Sequence, residues 1–292
     1  MDGDRLIYGA ENGLSRRGAM AAAVIGSTFA LSVQPVTAQT VITTPADGLT
    51  VGVVKVKTKD GKEMDAYRAM PASGTGFGTI LVTQEIFGVH AHIADLCRRF
   101  AKAGYYAIAP ELYFRQGDAK TYTEIPKLIA EIVSKVPDAQ VMGDLDSTVE
   151  FAKGEGKADV AKLGITGFCW GGRIVWMYDA HNPAVKAGVA WYGPLVKDAT
   201  PLSPTNPVDI VKNLHGPVLG LYGGADAGIS QESVEKMRAA LKTGSPAAMK
   251  SQIDVYPDTP HGFNADYRPS YRKDPADDGW KRALAWFKAN GV

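Results

Sequence analysis

The chain has 292 residues, of which 45% are hydrophobic and 22% charged, close to the average composition of globular proteins. The formal net charge of +1, without a visible basic stripe, argues against nucleic acid as a partner. Residues 39–292 are long enough to form one domain with a large core.

The N-terminal residues have the pattern of a secretory signal. Arg16 and Arg17 precede a weakly apolar run at 18–33, and small residues at 36–38 offer a cleavage site. Paired arginines are typical of a twin-arginine signal, so we expect residues 1–38 to be cleaved and the mature protein to be periplasmic. The run is too short and mild to be a stable membrane anchor. The alternative is a disordered tail with a chance arginine pair.

The remaining sequence alternates strand and helix patterns. The first two strands, at 51–58 and 63–70, flank a Lys-Asp-Gly-Lys turn and predict an antiparallel hairpin. The later predicted strands are 79–83, 105–109, 163–166, 187–192, 218–222 and 252–256. The predicted helices are 91–103, 121–136, 138–153, 173–180, 231–242 and 274–290. This order predicts an α/β fold, with a mostly parallel twisted sheet, helices on both faces and an antiparallel N-terminal hairpin.

A strand–turn–helix pattern surrounds Cys169. The strand at 163–166 leads into Gly167, Cys169 and Gly171, and the helix at 173–180 follows. This is the pattern of a nucleophile elbow, in which glycines on both sides of the nucleophile let the strand and the helix pass closely. The alternative is a buried structural cysteine. The second cysteine, Cys97, falls in an apolar helical stripe, so we expect a packed thiol and no disulfide.

An acid and a histidine follow Cys169 in the order of α/β-hydrolases. Asp226 comes directly after the strand at 218–222, and His261 comes after the strand at 252–256. Catalytic groups in such sheets lie beyond the carboxyl ends of the strands. We therefore predict that Cys169 attacks a carbonyl, His261 transfers protons and Asp226 orients His261. Taken singly, Asp226 could be a turn residue and His261 a loop residue.

The loop after the strand at 79–83 contains a second group of candidates. The backbone N–H of Ile86, with that of Trp170, is predicted to form the oxyanion hole. Glu85 could control the protonation of the Cys169 thiol, or it could be an exposed loop residue. Arg115, also beyond a strand, could bind a substrate carboxylate, or it could be a surface arginine.

His90 and His92 have the spacing of a metal chelate, but no cysteine or carboxylate is grouped with them in the sequence. We interpret them as solvent-facing residues or as residues supporting the site, and we expect no metal.

Four spaced motifs together resemble the dienelactone hydrolases, also called carboxymethylenebutenolidases. These motifs are Gln-Glu-Ile-Phe-Gly at 84–88, Pro-Glu-Leu-Tyr-x-Arg at 110–115, Gly-Phe-Cys-Trp-Gly-Gly at 167–172 and His-Gly-Phe at 261–263. The resemblance implies an α/β-hydrolase that opens the lactone of a 4-carboxymethylenebut-2-en-4-olide to maleylacetate through an acyl-enzyme on Cys169. It also implies that Glu85 deprotonates Cys169 when substrate binds, that Arg115 holds the substrate carboxylate, and that no cofactor is needed.

The chain departs from the family pattern at one position. Enzymes acting on dienelactone carry a second carboxylate-binding arginine four residues after the histidine, where this chain has Ala265. The nearest arginine is Arg268, which we predict to bind substrate, but the sequence does not tell whether it replaces the missing arginine. Export is a second departure, so other lactones or small esters are alternative substrates.

We therefore expect a monomeric hydrolase whose partner is a small lactone or ester. The alternatives are a general short-chain carboxylesterase and a non-catalytic binding or redox-sensing protein that uses the thiol of Cys169.

Overall fold

The computed structural model describes residues 41–292, so the predicted signal at 1–38 lies outside the described residues. The strands are β1 (Leu49–Lys57), β2 (Glu63–Pro71), β3 (Phe77–Thr83), β4 (Tyr106–Pro110), β5 (Ala158–Phe168), β6 (Val185–Trp191), β7 (Val218–Gly223) and β8 (Gln252–Tyr256). The α-helices are α1 (Ala91–Lys102), α2 (Ile125–Glu131), α3 (Asp138–Gly154), α4 (Trp170–His181), α5 (Gln231–Leu241), α6 (Pro246–Lys250) and α7 (Lys273–Ala289).

The eight strands form one sheet in the order β1-β2-β4-β3-β5-β6-β7-β8. β1 pairs with β2, and β2 with β4, in antiparallel register. The pairs from β4 across to β8 are all parallel. This confirms the predicted α/β architecture, a mostly parallel sheet with an antiparallel N-terminal hairpin.

Helices cover both faces of the sheet. The space in front of Gly164 on β5 is filled by Phe287 of α7, whereas that in front of Gly188 on β6 is filled by Val175 of α4. Gly188 is the register partner of Ile165, and successive residues of a strand point to opposite faces. α7 and α4 therefore lie on opposite sides. The ring of Phe100 on α1 packs 4.5 Å from that of Trp280, which places α1 beside α7.

The register of the sheet brings the carboxyl ends of its central strands together. Thr83 of β3 pairs with Gly167 of β5, and Phe168 pairs with Trp191 of β6. β7 and β8 continue the same edge, since Gly223 pairs with Tyr256. The loops that carry the predicted site residues therefore leave the sheet side by side.

One predicted helix is wrong in its extent. Residues 121–136 were expected to form a single helix, but the structure has only α2 here, between short 3₁₀ turns at Ala119–Thr121 and Val133–Lys135. Pro126 lies in the first turn of α2, where its missing N–H does no harm, and it could not sit in the interior of a longer helix. The short helix α6 was not predicted. Within residues 41–292, no helix has the length and apolarity to cross a membrane.

Candidate active site

Cys169 sits on a sharp turn between β5 and α4. Its φ of 56° and ψ of −118° are unusual for a residue with a side chain, so the turn is a strained one. A Cβ on Gly167 would collide with the backbone of Gly171, and a Cβ on Gly171 would collide with the carbonyl groups of Thr83 and Gln84. The glycines are therefore required by close backbone approach, which is the physical basis of the predicted elbow.

Asp226 and His261 form a buried pair beyond β7 and β8. The Oδ2 atom of Asp226 lies 2.7 Å from Nδ1 of His261. The backbone N–H groups of Gly228 and Ile229 donate to Oδ1 at 2.8 and 3.1 Å, so the carboxylate has a fixed orientation. This arrangement orients the imidazole ring, as the sequence predicted for Asp226.

The same imidazole interacts with the side chain of Cys169. Burial alone would lower the pKa of His261, but its interactions with Cys169 and Asp226 raise that pKa to about 10. Cysteine, histidine and aspartate are thus electrostatically coupled in a region shielded from solvent, since all three side chains are buried. This favours the charged form of the imidazole while a thiolate is next to it.

Glu85 is not an exposed loop residue, because its side chain is fully buried beyond β3. Its Oε2 atom accepts a hydrogen bond from the Tyr267 hydroxyl at 2.5 Å and lies 3.3 Å from Nε2 of His90. The guanidinium of Arg268 is 3.5 Å from the same oxygen. Burial would raise the pKa of Glu85, but the charge of Arg268 and the hydrogen bond with His90 outweigh it and hold that pKa below its usual range.

Arg268 is held by contacts on several sides. Its Nε donates to the Tyr267 hydroxyl at 2.9 Å, and its guanidinium lies over the rings of Phe87 and Tyr267, 4.7 and 5.1 Å from their centroids. Among residues 41–292 its two terminal nitrogens have no hydrogen-bond acceptor within normal distance. A buried guanidinium with free N–H groups can still accept an anion. The structure therefore places Arg268 in a cluster with Glu85, His90 and Tyr267, although Ala265 occupies the position where an arginine was expected.

The two predicted oxyanion donors lie on neighbouring loops. Trp170 is the first residue of α4, where a backbone N–H has no partner within the helix. Ile86 follows Glu85 on the loop after β3, and the Gln84 carbonyl group of this loop lies close against Gly171. Neither the Ile86 nor the Trp170 N–H forms a hydrogen bond within the described part of the chain.

The structure does not bring Arg115 to this cluster. Its guanidinium binds Asp60, on the turn of the β1–β2 hairpin, at 2.9 and 3.0 Å, and Asp144 of α3 at 2.6 Å. Because Asp144 is buried, its carboxylate would destabilise the fold more than an exposed one if no cation lay beside it. Arg115 thus fastens the hairpin to α3, and its contact with a substrate carboxylate stays a prediction.

Sequence reasoning missed Tyr267 and the contact of His90 with Glu85. His92 instead pairs with Asp266, with Nδ1 and Oδ1 3.4 Å apart. A signal for Tyr267 was available, because aromatic and charged residues crowd the loop directly after His261. In the part of the chain that the structure describes, no three His, Cys, Asp or Glu residues are grouped so that they could hold a metal ion.

Comparison with known proteins gives the family of this chain. The model of the dienelactone hydrolase family matches residues 64–291. A protein of Methylorubrum extorquens, provisionally named a carboxymethylenebutenolidase, is 59% identical over 100% of this chain and 98% of its own length. An Escherichia coli protein with the same provisional name is 53% identical over 91% of this chain and 96% of its own.

Solved structures give the same result. A provisionally named dienelactone hydrolase from Klebsiella pneumoniae has a TM-score of 0.79 and 53% identity, covering 83% of this chain and 99% of its own. A dienelactone hydrolase-like promiscuous phosphotriesterase from metagenomic libraries has a TM-score of 0.68 at 17% identity, covering 84% of this chain and 100% of its own. The second likeness concerns the fold alone.

The strand order and the elbow define an α/β-hydrolase. Within that class, the chain belongs to the dienelactone hydrolase family. It is accordingly an enzyme that hydrolyses carboxylic esters or lactones.

Proposed function

We propose that this enzyme opens a small unsaturated lactone of the dienelactone type through an acyl-enzyme on Cys169. The observation that carries the proposal is the buried Asp226–His261 pair, 2.7 Å between Oδ2 and Nδ1, whose ring also interacts with Cys169 at the elbow. The provisional name carboxymethylenebutenolidase, shared by relatives at 53–59% identity, supports the lactone as substrate.

In the proposed reaction, the sulfur of Cys169 attacks the lactone carbonyl carbon, and the carbonyl oxygen becomes an oxyanion facing the N–H groups of Ile86 and Trp170. The ring C–O bond then breaks, and His261 gives a proton to the released oxygen. A water molecule passes a proton to His261 and attacks the thioester carbon, after which the thiolate leaves. His261 begins and ends this cycle as the imidazolium, and the proton that leaves the Cys169 thiol at the start returns to the thiolate at the end, so charges and protons balance without a cofactor.

Glu85 would accept the proton of the Cys169 thiol at the start of this sequence. Its low pKa makes it a weak base while Arg268 lies beside it. A substrate carboxylate on the free N–H groups of Arg268 would neutralise that cation and make Glu85 more basic. Proton removal from Cys169 would then follow binding of an anionic substrate.

A second candidate is a general carboxylesterase for short acyl groups. Ala265 stands where a carboxylate-binding arginine is expected, and Arg115 is engaged by Asp60 and Asp144. Arg268 is then the single arginine placed at Glu85 among the described residues, which fits a neutral ester at least as well as a dianion.

The test measures the ultraviolet loss of dienelactone and the release of nitrophenol from 4-nitrophenyl butyrate, with Cys169→Ala and the matched control Cys97→Ala. Cys97 is also a buried free cysteine, but it lies on α1. Loss of lactone opening in Cys169→Ala alone is the expected result. Ester cleavage without lactone opening would favour the carboxylesterase. If neither substrate reacts and His261→Asn changes no measurable property, the non-catalytic alternative is favoured.

A further inference from the structure

A buried carboxylate on the loop after His261 has no part in the proposed reaction. Asp266 is fully buried. It directly precedes Tyr267 and Arg268, whose hydroxyl and guanidinium lie 2.5 and 3.5 Å from the Oε2 atom of Glu85. A carboxylate that is buried without a cation beside it destabilises the fold. The partners of Asp266 therefore help to decide where the next two residues of the loop lie.

Two side chains of α1 bind Asp266. The Nη2 atom of Arg99 donates to its Oδ2 atom at 2.5 Å, and Nδ1 of His92 lies 3.4 Å from its Oδ1 atom. Burial would raise the pKa of Asp266, but His92 and Arg99 outweigh it and hold that pKa below its usual range. Asp266 is therefore ionised at neutral pH. The helix α1, which follows the Glu85 loop in the chain, thus also holds the loop that carries Asp266.

A segment that precedes β1 completes these contacts. The Ile42 N–H lies 3.4 Å from Oδ1 of Asp266. The N–H and the hydroxyl of Thr44 donate to the carboxylate of Asp95 on α1, at 2.6 and 3.1 Å, and Nε of Arg99 donates to the same carboxylate at 2.6 Å. This segment lies before the part of the chain that the family model matches. Asp95, Arg99 and Asp266 thus form one chain of contacts, the Asp266 anchor.

The contacts of Glu85 depend on where the anchored loop lies. The titratable and charged groups that interact with its carboxylate are His90 and His92 after β3, Tyr192 after β6, and Tyr267 and Arg268 after β8. A cation and a donated hydrogen bond both favour the charged form of a carboxylate. Tyr267 and Arg268 supply these two contacts, and both directly follow Asp266 in the chain. A shift of this loop would therefore weaken both contacts at once.

We propose that the Asp266 anchor positions Tyr267 and Arg268 against Glu85 for the reaction. Asp266 and Arg99 are then positioning residues, since they act through the residues beside Glu85. The proposal rests on the proposed function, in which Glu85 accepts a proton once a substrate carboxylate neutralises Arg268. Loss of the anchor should therefore slow the reaction of an anionic substrate more than that of a neutral one.

Arg99→Met and its matched control Arg98→Met test the anchor in the full chain. Both arginines lie on α1 and bind Asp95, with Nε of Arg99 at 2.6 Å and Nη2 of Arg98 at 2.8 Å. Arg99 also binds Asp266, whereas Arg98 also binds the Tyr67 hydroxyl. The two variants therefore remove the same kind of side chain from the same helix, and Arg99→Met alone removes the cation beside Asp266.

The kinetic measurement is the ratio of kcat/KM for dienelactone, an anion, to kcat/KM for 4-nitrophenyl butyrate, a neutral ester. A hydrogen bond to a charged group is worth roughly tenfold in an equilibrium constant, so Arg99→Met should lower this ratio about tenfold. Arg98→Met should leave it nearly unchanged. Arg99→Lys, which keeps a cation, should give a smaller fall than Arg99→Met. An equal change in both methionine variants, or no change in Arg99→Met, would overturn the inference.

Urea unfolding at neutral pH gives a second test, which needs no activity. Arg99→Met should change the equilibrium constant of unfolding about tenfold less in a Glu85→Gln protein than in the wild type, because no carboxylate is left to lose its partners. Arg98→Met should have the same effect in both proteins. Additive effects of Arg99→Met and Glu85→Gln would contradict the inference. The proposed function fails separately, if hydrolysis of lactone and ester survives Cys169→Ala, and the unfolding result then still decides on the anchor.

Discussion

Replacing Arg268 by methionine tests the charge balance around Glu85. The variant keeps a long apolar side chain against Phe87 and Tyr267 but removes the guanidinium that lies 3.5 Å from the Glu85 carboxylate. Tyr267 also loses the Nε donor at 2.9 Å. Glu85 would then be a fully buried carboxylate with two remaining neighbours, the Tyr267 hydroxyl and His90.

The expected cost follows from the loss of one partner of a buried ion pair. Such a loss typically destabilises a protein by about 3–5 kcal/mol, because the other charge stays buried without compensation. Burial would now raise the pKa of Glu85 above its value in the unfolded chain. A group with a raised carboxyl pKa destabilises the fold at pH values above that unfolded value, and the penalty is relieved as the pH falls. The deficit of Arg268→Met should therefore be largest near pH 8 and smaller near pH 5.

Urea unfolding of wild type, Arg268→Met and Arg268→Lys at pH 5 and pH 8 measures this deficit. The lysine variant keeps the cation, so it should be less destabilised and should show a weaker change with pH. In the proposed mechanism kcat/KM of Arg268→Met should also fall on the acid side, where Glu85 becomes protonated. An identical loss of stability at both pH values would refute the reasoning that Arg268 keeps Glu85 ionised.

Three further predictions concern other residues. Burial raises the pKa of Asp179 to about 7, so wild-type stability should fall by up to about 4 kcal/mol as the pH rises from 4 to 8. In urea unfolding, the stability of Asp179→Asn should change less with pH than that of the wild type. Curves of stability against pH that run parallel for the two proteins would contradict this. Arg115→Met should lower the free energy of unfolding by about 3 kcal/mol, because it leaves the buried carboxylate of Asp144 without a cation, while KM for an anionic lactone stays the same. A raised KM would support the predicted role of Arg115 in substrate binding. Changing Arg16 and Arg17 together to lysine should keep the chain uncleaved in the cytoplasm, as cell fractionation and mass measurement can show; unchanged export would rule out the twin-arginine signal.

Most of the fold could be predicted because its signals are local. Short apolar runs and the breaks between them located every strand of the sheet, and the Lys-Asp-Gly-Lys turn located the hairpin. β5 is longer than predicted because its first residue, Ala158, pairs with Phe77 across an irregularity in β3. The helix is shorter than the predicted 121–136 because Pro126 fits only the first turn of a helix.

The residues of the candidate site could likewise be predicted where local signals position them, and not where distant packing does. Cys169, Asp226 and His261 each follow a strand, and parallel strands bring their carboxyl ends together, so sequence order was enough to group them. Arg115 also follows a strand, but the orientation of its side chain depends on where Asp60 and Asp144 lie. Their positions come from packing of the hairpin on α3, which no local pattern encodes.

The position of Arg268 beside Glu85 depends on the path of the loop after His261. The loop after His261 turns at Gly262, whose φ is 73°, and closes where the Arg272 N–H donates to the Phe263 carbonyl at 3.0 Å. This path delivers Arg268 to Glu85 although the expected position holds Ala265.

Charge compensation links this arrangement to the choice between the two candidate functions. If Glu85 must gain basicity before it accepts the Cys169 proton, a substrate carboxylate on Arg268 activates the enzyme and a neutral ester does not. A free acid should then react faster than its methyl ester on the same lactone, by a factor that Arg268→Met removes. If both react equally in the wild type, the imidazole of His261 alone activates Cys169, and no substrate carboxylate is needed.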